Sequence, residues 1–159
     1  MVRRILVVAN QTLGGDHLAE LIRQRAAAGP VEVLLVVPAT YHTDLVQVLA
    51  QAFAVQGGMR PPAVAAAADA HDHARARAAA GVHWLAGLGV SAVGEVVDHD
   101  PVTAIRDQLR QGAVDEVVVS TLPAGVSSWL RQDLAHRIRR ITQTPVTVVT
   151  ADHPPAAPG

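Results

Sequence analysis

Cysteine is absent from this chain of 159 residues, and with it go disulfides, a thiolate nucleophile and any thiolate metal site. Lysine is absent too. All thirteen basic residues are arginines, which excludes a lysine Schiff base and a phosphate loop of the GxxxxGK type. A GC-rich coding bias, visible also in the Ala, Val, Gly and Pro content, is the simple origin. Aromatic residues make up only 3%, so the core must be built from Val, Leu, Ile and Ala, and stacking platforms for bases are nearly missing. Charge of either sign is not in excess: the formal net charge is -1, whereas phosphate-backbone binders concentrate positive charge. No nucleic-acid partner is expected. Nor does any apolar run reach the roughly 20 residues of a membrane span. The stretch from Met1 to Ala9 has strand length, without the longer apolar segment and cleavage site of a signal peptide. A cytoplasmic protein with no membrane association is the expectation.

What is present is a hydrophobic fraction of 50%, enough for one compact α/β domain over residues 1–150. The tail 151–159, rich in Pro and Ala, is expected to be disordered. Ile5 to Ala9 reads as a buried strand. Gly14-Gly15-Asp16 turns into a helix to about Ala28, with Leu18, Leu21 and Ile22 on its apolar face. Gly29-Pro30 stops it, and Val31 to Val37 is a second, almost wholly apolar strand of the parallel type. An apolar helical stretch is read at Leu45 to Val55 within the less regular segment 41–70. A helix follows from Asp72 to Leu88, with Ala76, Ala80, Val82, His83 and Leu85 as core or near-core positions. Val90 to Val97 is the third strand, and Asp100-Pro101 opens a helix to about Arg110, ended by Gly112. Val117 to Ser120, a helix from Ser127 or Ser128 to Ile141, and Val146 to Val149 complete the chain. Alternation of this kind predicts a Rossmann-like α/β fold, a five-stranded parallel sheet with helices on both faces.

The most informative stretch is Asp115-Glu116-Val117-Val118-Val119-Ser120-Thr121 with the loop Leu122 to Ser127 and the helix behind it. A short apolar strand ending in hydroxyl residues and feeding a Ser-capped helix places main-chain N–H groups at the mouth of a crevice, where an anion could sit. The loop is nevertheless poor in glycine.

The first strand, ILVVAN, together with the closing DEVVVSTLPAGVSSWLRQDLAHRIRRITQTPVTVV, resembles the universal stress protein family, within the adenine-nucleotide-binding α/β domains. The resemblance runs from about Arg3 to Val149 and is strongest at the two ends. It implies strand order 3-2-1-4-5, a ligand crevice between the first and fourth strands, and stress-response physiology. It also implies a site formed by Ala9, Asn10, Gln11, Ser120, Thr121, Gly125, Ser127 and Ser128. ATP with Mg2+ is the cofactor it would bring. ATP-binding members carry a glycine pattern from the end of the fourth strand into the last helix; here Ser120 and Pro123 stand at its first two glycines. Pro123 has no N–H to give a phosphate. The pattern's final Gly-Ser pair aligns with Gln132-Asp133, where a carboxylate would repel a polyphosphate, and the family's adenine-contacting Asp corresponds to Asn10. Two readings stay open: a ligand site of altered specificity, or a loop in which Ser127 and Ser128 are only helix caps.

Other constellations are weaker. Asp69, His71, Asp72 and His73 cluster at the expected helix entry, and Asp98-His99-Asp100 follows the third strand. Their spacing matches no metal motif, and acids suit a helix start without one, so no metal is expected. Ser127 and His136 are nine residues apart on one helix, about 13 Å in rise, and no GxSxG elbow is present. Catalysis is therefore not the expected role. Arg137, Arg139 and Arg140 complement the negative end of the last helix or face solvent, with a contact to an anion or a partner as the alternative. The closing strand, Pro145-Val146-Thr147-Val148-Val149, is an apolar edge that invites pairing with a second chain. A homodimer through this strand is the partner the resemblance implies. The reading reached is a dimeric binding or regulatory module that does not hold ATP tightly; an ATP-binding protein with slow hydrolysis or a nucleotide-dependent switch is its alternative.

Overall fold

Unbroken runs of Val, Leu and Ile at 5–8, 33–37 and 117–119 can be buried only where both faces of a sheet are covered. The computed structural model covers them. It describes residues 1–9, 13, 15–39, 63–97, 101–121 and 128–150. The elements are β1 (Arg3–Val8), α1 (Asp16–Ala28), β2 (Val31–Pro38), α2 (Ala63–Gly87), β3 (Ser91–Val97), α3 (Pro101–Gln111), β4 (Glu116–Thr121), α4 (Ser128–Ile141) and β5 (Val146–Thr150). The strands are parallel in the order β3-β2-β1-β4-β5, as the resemblance implies.

Side chains alternate across the sheet with period two. Ile5, Val7, Val33, Leu35 and Val118 face α1 and α2, where Leu18, Ile22, Ala74, Ala78 and Leu85 meet them. Leu6, Val8, Val36, Val117 and Val119 face α3 and α4, against Val102, Ile105, Leu134 and Ile138. Helix α1 buries Leu18, Ala19 and Ile22, in agreement with the periodicity of its sequence.

Two expectations change. Helix α2 begins at Ala63 rather than near residue 72, because alanine has the highest helix propensity and nothing in the run opposes it. Its buried stripe is Ala74, Ala78, Gly81 and Leu85, while Ala76, Ala80 and His83 are exposed and Val82 is half-buried. Alanine on every side of a helix hides its phase. Gly81 packs closely on β2, since a Cβ there would lie 2.7 Å from Leu35 Cδ2 and that side chain would have to shift. Glycine also ends this helix: Gly89 at φ +84° follows Leu88, and its N–H donates to the Ala86 carbonyl at 3.0 Å. The last strand is Val146–Thr150, so Pro145 precedes it. The stretch Leu45 to Val55, the Asp100 cap and the tail 151–159 lie outside the described residues. Among the described residues no helix is long and apolar enough to cross a membrane.

Candidate functional site

β1 pairs with β4 only as far as Val8↔Val119. Beyond that register the two strands part. The Ala9 N–H continues the β1–β2 ladder, donating to the Val36 carbonyl at 3.2 Å. Ser120 and Thr121 instead continue against Val149 and Thr150 of β5. Strand order reverses here, with β2 and β3 on one side and β5 on the other, which is the place where open parallel sheets take their ligands.

Of the residues read as a site, Ala9 is buried and ends β1, and Ser120 is buried within β4. Thr121 is the last residue of β4, and Ser128 is the first of α4. The fold therefore brings Ala9, Ser120, Thr121 and Ser128 to its carboxyl end. Asn10, Gln11, Gly125, Ser127 and Pro123 lie outside the described residues.

The first turn of α1 also opens at this end. Its N-cap, Gly15, makes no side-chain cap, and a helix N-terminus favours an anion. Asp16 in the same turn opposes one. His17, which sequence reasoning did not single out, is exposed, and its Nδ1 donates to the Thr150 carbonyl at 2.7 Å. The hydrogen bond ties α1 to the end of β5. No sequence signal marks it, since it depends on α1 leaning across β4 toward the edge strand. The described segments at this end, 7–9, 15–19, 119–121 and 149–150, contain no arginine. Charge compensation for a bound phosphate there falls to main-chain amides, the helix dipole and any accompanying cation.

The densest electrostatic cluster lies at the other pole. Glu116, the first residue of β4, is 2% exposed. It accepts hydrogen bonds from Arg25 Nε at 2.8 Å and Nη2 at 3.0 Å, Arg3 Nη2 at 3.1 Å and Thr147 Oγ1 at 2.8 Å. The hydrogen bonds from Arg25, aided by Thr147 and the charges of Arg25 and Arg3, hold the Glu116 carboxyl below its ordinary range against the opposing effect of burial. The same bond raises the Arg25 pKa. Nothing in the sequence marks this carboxylate, because its partners lie 31, 91 and 113 residues away. It joins α1, β1, β4 and β5 but stands far from the strand ends where a ligand would lie. A crevice of about 280 Å³ on this pole, between the end of α3 and β1–β3, includes Arg4 and Glu32, which pair with each other at 3.3 Å.

Asp69, His71, Asp72 and His73 sit within α2, six residues or more past its first residue, not at its entry. Among the described residues no three His, Asp or Glu side chains converge as a metal site would require. Asp98, His99 and Asp100 lie outside them.

No family model matches the chain, and no curated protein does. Solved structures share its fold. Hypothetical protein MJ0577 aligns over 95% of this chain and 97% of its own, at 14% identity and TM-score 0.61. The universal stress protein from Archaeoglobus fulgidus in complex with dAMP aligns over 94% and 98%, at 13% identity and TM-score 0.53. A universal stress protein family protein from Arabidopsis thaliana with AMP bound aligns over 94% and 92%, at 12% identity and TM-score 0.52. The chain has the fold of universal stress proteins across nearly its whole length.

Proposed function

We propose that this chain, which has the universal stress protein fold, is a universal-stress-protein-like regulatory module, homodimeric through β5, with a crevice that takes an adenine nucleotide weakly. The observation that carries the reading is the parting of β1 and β4 after Val8 and Val119, in a fold shared with proteins whose structures hold dAMP and AMP. Ala9, Asn10, Gln11, Ser120, Thr121, Gly125, Ser127 and Ser128 form the ligand site in this reading. Weak binding follows from chemistry: Pro123 offers no amide, Asp133 and Asp16 add negative charge, and the chain has no lysine to set against a phosphate. The dimer follows from an apolar edge strand with Val148 39% exposed. Stress physiology enters through the fold likeness alone.

Titration calorimetry with AMP, dAMP and ATP plus Mg2+, together with analysis of nucleotide released from heat-denatured protein, tests the reading. Dissociation constants of about 10 µM to 1 mM without copurified nucleotide are expected. Tightly held, copurified ATP would replace it with a nucleotide-dependent switch. No heat with any of the three would remove nucleotide from the function and leave a protein-binding module.

A further inference from the structure

The charge of this chain is unevenly shared among its helices although its sum is nearly zero. Helices α3 and α4 lie side by side on one face of the sheet. In sequence they carry Arg106, Arg110, Arg131, Arg137, Arg139 and Arg140 against Asp107 and Asp133. That is a net +4 where the whole chain has -1, so the remaining residues total -5. Helices α1 and α2, on the other face, each carry two arginines and two acids.

Three arginines outside this face are held in ion pairs, and on this face Arg139 donates to the Val146 carbonyl at 3.4 Å. Arg3 and Arg25 pair with Glu116, and Arg4 pairs with Glu32. Among the described residues no carboxylate reaches ion-pair distance of Arg106, Arg110 or Arg140, and all three are exposed. Helix-dipole complementarity accounts for a cation in a last turn, as with Arg110 and Arg140. It does not reach Arg106, in the middle of α3, and α1 closes with one arginine and α2 with none.

We propose that the α3–α4 face is a docking surface for a short acidic polypeptide segment, read through its carboxylates by Arg106, Arg110 and Arg140. Arg106 and Arg110 are one helical turn apart, about 6 Å, close to the roughly 6.6 Å between alternate residues of an extended chain. Guanidinium forks suit carboxylates. The exposed large hydrophobics of the described residues are Met1, Val2, Val93 and Val148, none of them on α3 or α4. Helices of this length span roughly 16–21 Å, room for about six extended residues. A long polyanion such as duplex DNA would run past the face onto a remainder carrying -5. A short acidic segment stays within it.

Fluorescence anisotropy with fluorescein-labelled hexaglutamate tests the proposal on the full chain. Wild-type protein is expected to bind the peptide and to lose that binding between about 0.05 M and 0.5 M salt. The variant R106E/R110E is expected to bind at least tenfold more weakly, R140E to show a smaller loss, and R75E on α2 to bind as wild type does. Thermal melting confirms that these exposed substitutions leave the fold intact. Absence of peptide binding by the wild type, or equal binding by folded R106E/R110E, would overturn the proposal. Tighter binding of a short DNA duplex than of the peptide would overturn it as well, in favour of phosphate.

Discussion

Arg25 and Glu116, 91 residues apart, meet in a fork: Nε donates to Oε2 at 2.8 Å and Nη2 to Oε1 at 3.0 Å. Helix α1 is thereby fastened to the first residue of β4, at the amino-terminal pole of the sheet. Removal of the acid strands Arg25, which is 27% exposed, and leaves Thr147 Oγ1 without its acceptor. Glu116→Ala should cost about 2–4 kcal/mol in urea unfolding at pH 7, and Thr147→Val about 1 kcal/mol. A cost below about 0.5 kcal/mol for Glu116→Ala would show that the fork adds nothing net.

The same carboxylate sets a pH dependence. Its folded pKa lies below the ordinary value of 4.5. The unfolded state therefore binds the proton first, and the stabilisation is complete above that value and fades as pH falls through the lower, folded pKa. Unfolding free energy measured from pH 7 downward should drop below about pH 4.5, and Glu116→Gln should flatten that part of the curve. Parallel curves for the two proteins would assign the acid sensitivity to other carboxylates.

Restoring glycine should strengthen nucleotide binding if the loop chemistry sets its weakness. The double change Ser120→Gly and Pro123→Gly returns an amide and lets the main chain approach a phosphate. Affinity for ATP with Mg2+ is expected to rise about tenfold, near 1.4 kcal/mol, by calorimetry. Unchanged affinity in a folded variant would move the cause to Asn10 or Asp133.

Val148 stands on the edge strand β5 and is 39% exposed. Val148→Glu should shift the proposed dimer to monomer at micromolar concentration in sedimentation velocity, with little loss of stability, because the position is already open to water. A wild-type monomer under those conditions would remove the dimer altogether.

The sheet was legible because parallel strands buried on both faces are written as runs such as Val31 to Val37, and because Gly29-Pro30 and Gly112 punctuate the helices. The bounds of α1, α3 and α4 could be read to within a residue or so for the same reason. Helix α2 was not: in a run of alanines no face stands out, and the buried stripe became visible only where Gly81 packs closely on Leu35. Ser120 and Thr121 were legible as the end of a strand. The Glu116 fork and the His17 contact with Thr150 were not, since each joins elements brought together only by β4 entering the sheet between β1 and β5.

By itself the sequence determined the chemistry available: no thiol, no lysine, few aromatics, and an alternation of apolar strands and helices that admits a parallel sheet. These are local properties, fixed by residue type and spacing. Tertiary structure decided which of those residues are neighbours. A fourth strand inserted beside the first places the reversal of strand order at Val8 and Val119, buries Glu116 beneath two arginines, and sets α3 and α4 side by side on one face. Such pairings are set by the crossover connections of the sheet rather than by any stretch of sequence.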